Sequence, residues 1–243
     1  AGSTQLMHIL PPEFIEGGTA ATMERLKGKA NRDRLRDRME KGGEGFDNIA
    51  GMVGWENIIM STLNTSANKR FEGMTVQDIA KARGTDPVDC VCDMLIEENC
   101  AITMIDFITC EEDIARILNC GFASVISDSI YPASGRPHPR LYGTYARIIQ
   151  RFVGERRDMT LEAAVKAMTY NPAKALNIAD RGLLKEGLCA DVNVFDPAEV
   201  KERGSYADPD KCAAGMDYVF VNGKPAIASG ELTGGAFGQV IRR

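Results

Sequence analysis

Between residues 75 and 126, capped helical segments alternate with short apolar runs rich in β-branched residues, and no other feature restricts the fold of this chain as strongly. Residues 75–83 place Val76, Ile79 and Ala80 on one helical face, and Gly84 supplies a C-terminal stop. Asp86-Pro87 opens a second helix, with Asp as N-cap and Pro at the first helical position, and Val88, Val91, Cys92 and Leu95 share its apolar face. Residues 101–107 form the kind of apolar run that a fully covered parallel strand requires. Thr109 and Glu112 have the spacing of a capping box for a helix through Leu118; Gly121 ends that helix, and residues 122–126 read as the next strand. With residues 48–53 as an earlier buried strand, the order is strand, helix, helix, strand, helix, strand. That alternation predicts a parallel sheet or barrel with its site at the carboxyl ends of the strands.

On either side the texture differs. Residues 1–20 read as an irregular entry stiffened by Pro11 and Pro12, followed by a helix from about Thr19. Charges of both signs crowd residues 24–44, with pairs such as Asp37 and Lys41 at i,i+4, which is the pattern of a solvated helix face. Gly42-Gly43-Glu44-Gly45 has no preceding strand and reads as a turn; Asn64-Thr-Ser66 matches a glycosylation acceptor only by coincidence. Helices are expected at 141–152, 160–169 (capped by Thr160) and 172–178. Beyond Asp180 the runs 190–195 and 217–221 alternate like strands, and Asn222-Gly223 is a strong hairpin signal. A small β module is expected to close the chain.

Composition narrows the function. Lys plus Arg number 29 against 34 Asp plus Glu, a net charge of −5, so neither nucleic acid nor an anionic membrane is an expected partner. No run approaches 18 apolar residues, and the start lacks the charge and apolar stretch of a signal peptide. Seven cysteines without a C-x-x-C pair suit buried free thiols in a reducing compartment, so a cytoplasmic location is expected. Only His8 and His138 are present, too few for the three or four imidazoles of a typical hydrolytic zinc site. Any zinc chemistry must draw on ligands from elsewhere.

Ser127-Asp128 follows the expected strand at 122–126, where a βα barrel places catalytic groups, although an Asp at such a position is also a common turn or cap residue. The next loop contains Pro132, Pro137 and Pro139 and presents Arg136, His138 and Arg140. A stiff loop that carries a guanidinium beside a strand-end carboxylate can clamp an anionic substrate group. His138, with no second His at ligand spacing, reads as a packed or surface imidazole.

Four segments together resemble one family: Ser127-Asp128; Gly135-Arg-Pro-His-Pro-Arg140-Leu-Tyr-Gly143; Leu161-Glu-Ala-Ala-Val-Lys-Ala-Met-Thr169 with Pro172-Ala173; and Arg181-Gly182-x4-Gly187-x2-Ala190-Asp191-x3-Phe195-Asp196. They are similar to the carboxyl-terminal part of the D-aminoacylases, N-acyl-D-amino-acid deacylases of the metal-dependent amidohydrolase superfamily. The G-x4-G-x2-A-D segment points to the superfamily and the H-P-R loop to the D-aminoacylase branch. Val221-Asn-Gly223 through Gly230 to Arg242-Arg243 also matches, and Ala1-Gly-Ser-Thr4 looks like a family segment at a strand end. The amino-terminal H-x-H, bridging Cys and two further metal-binding His of such enzymes cannot be placed here.

The resemblance implies an α/β fold: the later βα units of a (β/α)8 TIM-type barrel over residues 1–178, plus closing strands of a small β domain over residues 179–243. It implies a zinc-dependent amidohydrolase, with one or two ions held mostly by ligands outside this chain, that splits N-acyl-D-amino acids into a D-amino acid and a carboxylate. Asp128 takes the role of general base and is offered as a metal ligand as well; Arg140, and more weakly Ser3, bind the substrate carboxylate. Alone, the chain is expected to be inactive and to associate with itself or with the missing amino-terminal half. The alternatives are a cyclic-amide hydrolase of the dihydroorotase or hydantoinase type, against which the H-P-R loop argues, and a non-catalytic fragment that pairs with a partner.

Overall fold

The structure, a computed structural model, describes residues 1–42, 45–131 and 134–241. The chain divides into two compact units, Ala1–Thr109 with Ile130–His138, and Cys110–Ser129 with Pro139–Arg243.

The first unit contains β1 (Gly2–Gln5), α1 (Pro12–Ile15), α2 (Gly18–Lys27), α3 (Lys29–Lys41), α4 (Ile49–Val53), β2 (Ile58–Thr62), α5 (Val76–Arg83), α6 (Pro87–Glu97) and β3 (Thr103–Asp106). Local signals set α5 and α6 as the sequence predicts. Thr75 Oγ1 accepts from Asp78 N at 3.1 Å, Gly84 ends α5 at φ +68°, and the Asp86 carboxylate caps the Val88 and Asp89 amides. Leu26, Leu35, Ile58, Met60, Met94 and Met104 are fully buried in one continuous core. The charged α3 does more than face solvent: Arg32 reaches Asp93 at 2.6 Å and Asp89 at 3.3 Å, and Arg36 reaches Asp86 and Asp89, tying α3 to α6.

The sheet corrects the expectation of parallel strands. Its order is β1-β3-β2, and β3 runs antiparallel to both neighbours, pairing Asp106 with Gly2 on one side and with Ile58 on the other. A single crossover helix returns the chain to the start of a parallel strand, whereas the helical pair α5–α6 brings it back once more, so that β3 enters from the opposite end. Residues 48–53 are likewise not a strand. Asn48 accepts from Gly51 N at 3.0 Å and caps the short α4. The expected turn at 42–45 falls partly outside the described residues; Gly42 and Gly45 both lie at positive φ.

The second unit contains α7 (Glu111–Leu118), α8 (Arg140–Arg147), a π-helical continuation over Ile148–Glu155, α9 (Leu161–Met168), α10 (Tyr170–Ala175) and strands β4 (Val192–Val194), β5 (Tyr218–Val221), β6 (Lys224–Ala228) and β7 (Glu231–Leu232). The four strands form an antiparallel sheet in sequential order. One of its two-residue hairpins is the expected one: Asn222 at φ +51° and Gly223 at φ +75° link Val221 to its partner Lys224. Thr160 caps α9 through Ala163 N at 3.2 Å. Thr109 does not cap α7, whose N-cap is Cys110. Three arginines converge on Glu111, Arg151 at 2.7 Å, Arg147 at 2.8 Å and Arg156 at 3.3 Å, and the Arg151 hydrogen bond leads in holding the Glu111 carboxyl below the usual carboxylate range.

Residues 122–126 form no strand. An apolar run becomes one only where a neighbouring backbone offers a ladder, and this segment is instead bound by helix ends: Val125 N donates to Ala167 O at 2.9 Å and Asn171 Nδ2 to Ala123 O at 2.7 Å. Phe122 and Ile126 stand 84% and 66% exposed. Among the described residues no helix is long and apolar enough to cross a membrane.

Candidate functional site

Asp128 and Arg140 lie together in the second unit. Arg140 Nη2 donates to Asp128 Oδ2 at 3.1 Å. The two side chains differ in how they are held. Arg140 is the first residue of α8 and its side chain is only 18% exposed, whereas that of Asp128 is 75% exposed. Asp128 also sits at φ +45°, a conformation that Asp tolerates better than most residues and that marks a sharp change of chain direction.

Several interactions place Arg140. Pro139 is buried, and its carbonyl accepts from the Tyr142 and Gly143 amides to start α8. Ala146 and Ile149 pack on Val200, and Glu202 pairs with Arg147 at 2.8 Å while its amide donates to Gln150 Oε1 at 2.9 Å. Tyr206 follows on the same loop. Burial pushes its phenol up from the ordinary tyrosine value, against the opposing charges of Arg147 and Arg140, so an aromatic hydroxyl lies within electrostatic range of the guanidinium. Sequence reasoning did not single out Tyr206, which is distant in the chain and carries no motif.

Of the prolines in the loop between Asp128 and Arg140, Pro132 lies outside the described residues and Pro137 and Pro139 are described. Residues 134–136 are in addition strapped to the end of β2 in the first unit: Arg136 N donates to Ser61 O at 2.8 Å, Ser61 Oγ donates to Arg136 O at 2.7 Å, and Lys69 Nζ reaches Ser134 Oγ at 3.0 Å. Gly135, at φ +102°, is required at this close approach, since a Cβ there would fall 2.7 Å from Ser61 O.

Ser3 belongs to the first unit, in β1 opposite Ile105 of β3. Next to that pair is a carboxylate that sequence reasoning passed over. Asp106, at the end of β3, is 4% exposed, and a Cβ on Gly2 would come within 2.7 Å of its Oδ1. The available signal was a single acid closing an apolar run. Of the two histidines, His8 exchanges a hydrogen bond with Thr4 Oγ1 at 2.7 Å through Nδ1, and His138 lies on the strapped loop. Among the described residues no three His, Cys, Asp or Glu side chains converge in a way that could hold a metal ion. The described donor set therefore does not fit a zinc centre by itself.

Comparison with known proteins agrees with the segments that carry the resemblance. Residues 72–227 match the model of the Amidohydrolase family. The chain is 35% identical over 173 residues to the D-aminoacylase of Alcaligenes xylosoxydans xylosoxydans, covering 71% of this chain and 34% of that protein. It is 38% identical over 151 residues to the N-acyl-D-glutamate deacylase of the same organism, covering 62% of this chain and 30% of that protein. Among solved structures, a D-aminoacylase with a binuclear metal centre superposes with a TM-score of 0.70 at 30% identity, over 80% of this chain and 39% of that one. The N-acyl-D-glutamate deacylase of Bordetella bronchiseptica, complexed with zinc and a phosphonate inhibitor, gives a TM-score of 0.69 at 31% identity over 96% of this chain and 48% of that one. The chain thus spans about a third of the length of the curated relatives it matches. It has the α/β fold of these enzymes, and it belongs to the amidohydrolase family, in the branch of the D-aminoacylases.

Proposed function

We propose that the whole protein hydrolyses the amide bond of N-acyl-D-amino acids, releasing a D-amino acid and a carboxylate, and that this chain is its carboxyl-terminal portion. In this reading residues 1–178 belong to the later part of a (β/α)8 barrel, with their antiparallel strands β1–β3 lying outside the parallel barrel ladder, and residues 179–243 supply the closing strands of the small β domain. The observation that carries the reading is the Asp128–Arg140 pair, a carboxylate and a guanidinium side by side in the segments that match the D-aminoacylases.

Each group has a distinct task. Asp128, exposed to solvent, accepts the proton of the attacking water and later delivers it to the departing amine. Arg140, fixed at the head of α8, offers a planar fork to the substrate α-carboxylate and so selects amino-acid derivatives over simple amides. Ser3 adds a hydroxyl donor to that carboxylate. A zinc centre of one or two ions would be held mostly by ligands outside this chain, with Asp128 a candidate among the described residues, and would supply Lewis-acid polarisation of the amide; the solved relatives include a D-aminoacylase with a binuclear metal centre and a deacylase complexed with zinc.

The exposed Phe122, Ile126 and Leu184 support association of this chain with the remainder of the enzyme or with a second copy. The cysteines are free, which suits a cytoplasmic location, but only Cys90, Cys92 and Cys100 are the buried thiols expected, while Cys110, Cys120 and Cys212 are exposed. The test is an assay of the whole protein against N-acetyl-D-amino acids, their L-enantiomers, hydantoins and dihydroorotate. Turnover confined to the D-series is the expected result; turnover of the cyclic amides with none of the N-acyl-D-amino acids overturns the reading.

A further inference from the structure

We infer that the connection between β4 and β5, residues 195–217, is a brace that sets α8 in place, and that Glu202 on it is a positioning residue for Arg140. A segment far along the chain from the motif thereby governs how well the substrate carboxylate is recognised. This rests on the reading of Arg140 as the carboxylate site and adds to it the element that aims the guanidinium.

The connection is closed on itself before it meets the helix. Lys201 N donates to Ala214 O at 3.1 Å and Ala214 N to Lys201 O at 3.0 Å, while Ser205 N donates to Asp208 O at 3.0 Å and Asp208 N to Ser205 Oγ at 3.1 Å. The brace then touches Pro139, Gly143, Ala146, Arg147 and Gln150, which recur at helical spacing and so share one face. At the far end the fully buried Val200 packs on Ala146 and Ile149, and Glu202 N donates to Gln150 Oε1 at 2.9 Å. In the middle the Glu202 carboxylate pairs with Arg147 at 2.8 Å while its methylene chain crosses Gly143, where a Cβ would fall 2.8 Å from Glu202 Cγ. At the near end a Cβ on Gly204 would stand 3.5 Å from Pro139 Cβ. Arg140 is the next residue, and Tyr206 of the brace lies within electrostatic range of it.

An apolar contact alone lets a helix slide or turn by a fraction of an ångström. The bare Cα of Gly143 lets the brace reach the helix backbone, and the ion pair beside it fixes both rise and rotation. Because Arg140 begins the same helix one turn earlier, a shift at Gly143 is carried to the guanidinium. A planar fork that must meet two carboxylate oxygens at once tolerates such a shift poorly. All of these partners lie in the second unit, and with Val200 fully buried and the Glu202 side chain 13% exposed, the contact is filled by this chain itself.

The experiment is steady-state kinetics of the whole protein with N-acetyl-D-leucine and N-acetyl-D-leucinamide in wild type, Glu202→Ala, Glu202→Gln, Gly143→Ala and the Gly143→Ala/Glu202→Ala double variant, with Arg140→Lys as reference. Glu202→Ala should raise KM for the acid roughly three- to tenfold, with kcat within about twofold of wild type and the carboxamide nearly unaffected. Glu202→Gln keeps the chain over Gly143 and an acceptor for Arg147, and should restore most of the loss. Gly143→Ala drives a Cβ into Glu202 and should raise KM for the acid as well; in the double variant the two losses should fall short of additive, since both break one contact. If Glu202→Ala does not fold, as thermal unfolding reports, Gly143→Ala decides by the same comparison. A merely structural role would penalise both substrates alike. If Arg140→Lys separates the acid from the carboxamide and the brace variants do not, the brace is wrong and the carboxylate clamp stands. If Arg140→Lys itself penalises both substrates equally, the clamp is wrong and the positioning role falls with it.

Discussion

The two units are stabilised in different ways. The first encloses one continuous apolar core, which includes Leu6, Ile58, Met94 and Met104, and seals its polar loop with a buried carboxylate: Glu98 accepts from Asn64 N at 2.6 Å, Thr65 N at 3.1 Å and Asn68 Nδ2 at 2.9 Å. The second has two small clusters, around Phe152 and around Val200, leans on the arginines gathered at Glu111, and leaves Phe122, Ile126 and Leu184 in solvent. The proposed base and carboxylate clamp, Asp128 and Arg140, belong to the sparser unit, while Ser3, proposed as a weaker donor, belongs to the first. Substitutions in the first core should therefore act mainly on stability, and substitutions at Asp128 and Arg140 mainly on the proposed activity.

The largest expected effect is on activity. Asp128→Asn in the whole protein keeps the shape but cannot accept a proton, so kcat should fall roughly 10²- to 10⁴-fold with unfolding unchanged. Turnover close to wild type would remove the catalytic assignment. Next in size is Met94→Ala, which empties a fully buried site and should cost about 2–5 kcal/mol in chemical denaturation; a cost below about 1 kcal/mol would mean that the first core is looser than its burial indicates. Glu98→Gln should cost about 1–3 kcal/mol by the same measurement. It exchanges an ionised acceptor of several hydrogen bonds, one that those bonds hold below the usual carboxylate range despite burial, for an amide that cannot accept them all.

These contrasts bear on what the sequence revealed. Where a fold rests on neighbours in the chain, reading was direct. Thr75, Asp86 and Thr160 cap the predicted helices, and Asn222-Gly223 turns the predicted hairpin. Where it rests on partners far along the chain, reading failed. Residues 122–126 have the composition of a strand but find no ladder, and residues 48–53 are turned into a helix by a single Asn cap. Strand direction was lost for the same reason, since it depends on how α5 and α6 return the chain rather than on any property of residues 103–106. Asp128 and Arg140 stood out through a motif, and their pairing was compatible with the sequence but not dictated by it. Tyr206 and the buried Asp106 emerged only once the chain was folded.

Acid should weaken both units, the first through Glu98 and the second through the arginine cluster at Glu111. The Glu111 carboxyl is held below its ordinary value, so its contribution to folding is complete above the unfolded pKa of about 4.3 and disappears as pH falls through the lower folded value. Thermal unfolding followed from pH 6 to pH 3 should therefore lose stability more gently in Glu111→Gln than in wild type; identical acid limbs would deny the arginine cluster its role. The smallest effect belongs to Phe122→Ser. An exposed aromatic contributes little to this chain alone, and unfolding should change by no more than about 0.5 kcal/mol. A larger loss would place Phe122 in a core and erase the distinction between the units.

Steady-state kinetics of wild type and Arg140→Lys, with an N-acetyl-D-amino acid and its carboxamide, test the central claim most directly. Lysine keeps the charge and loses the planar fork. The account predicts that kcat/KM for the acid falls about tenfold or more while the carboxamide is nearly unaffected, so the preference for the acid narrows. An equal penalty on both substrates would contradict the assignment of Arg140 to the substrate carboxylate, and with it the functional reading of the Asp128–Arg140 pair.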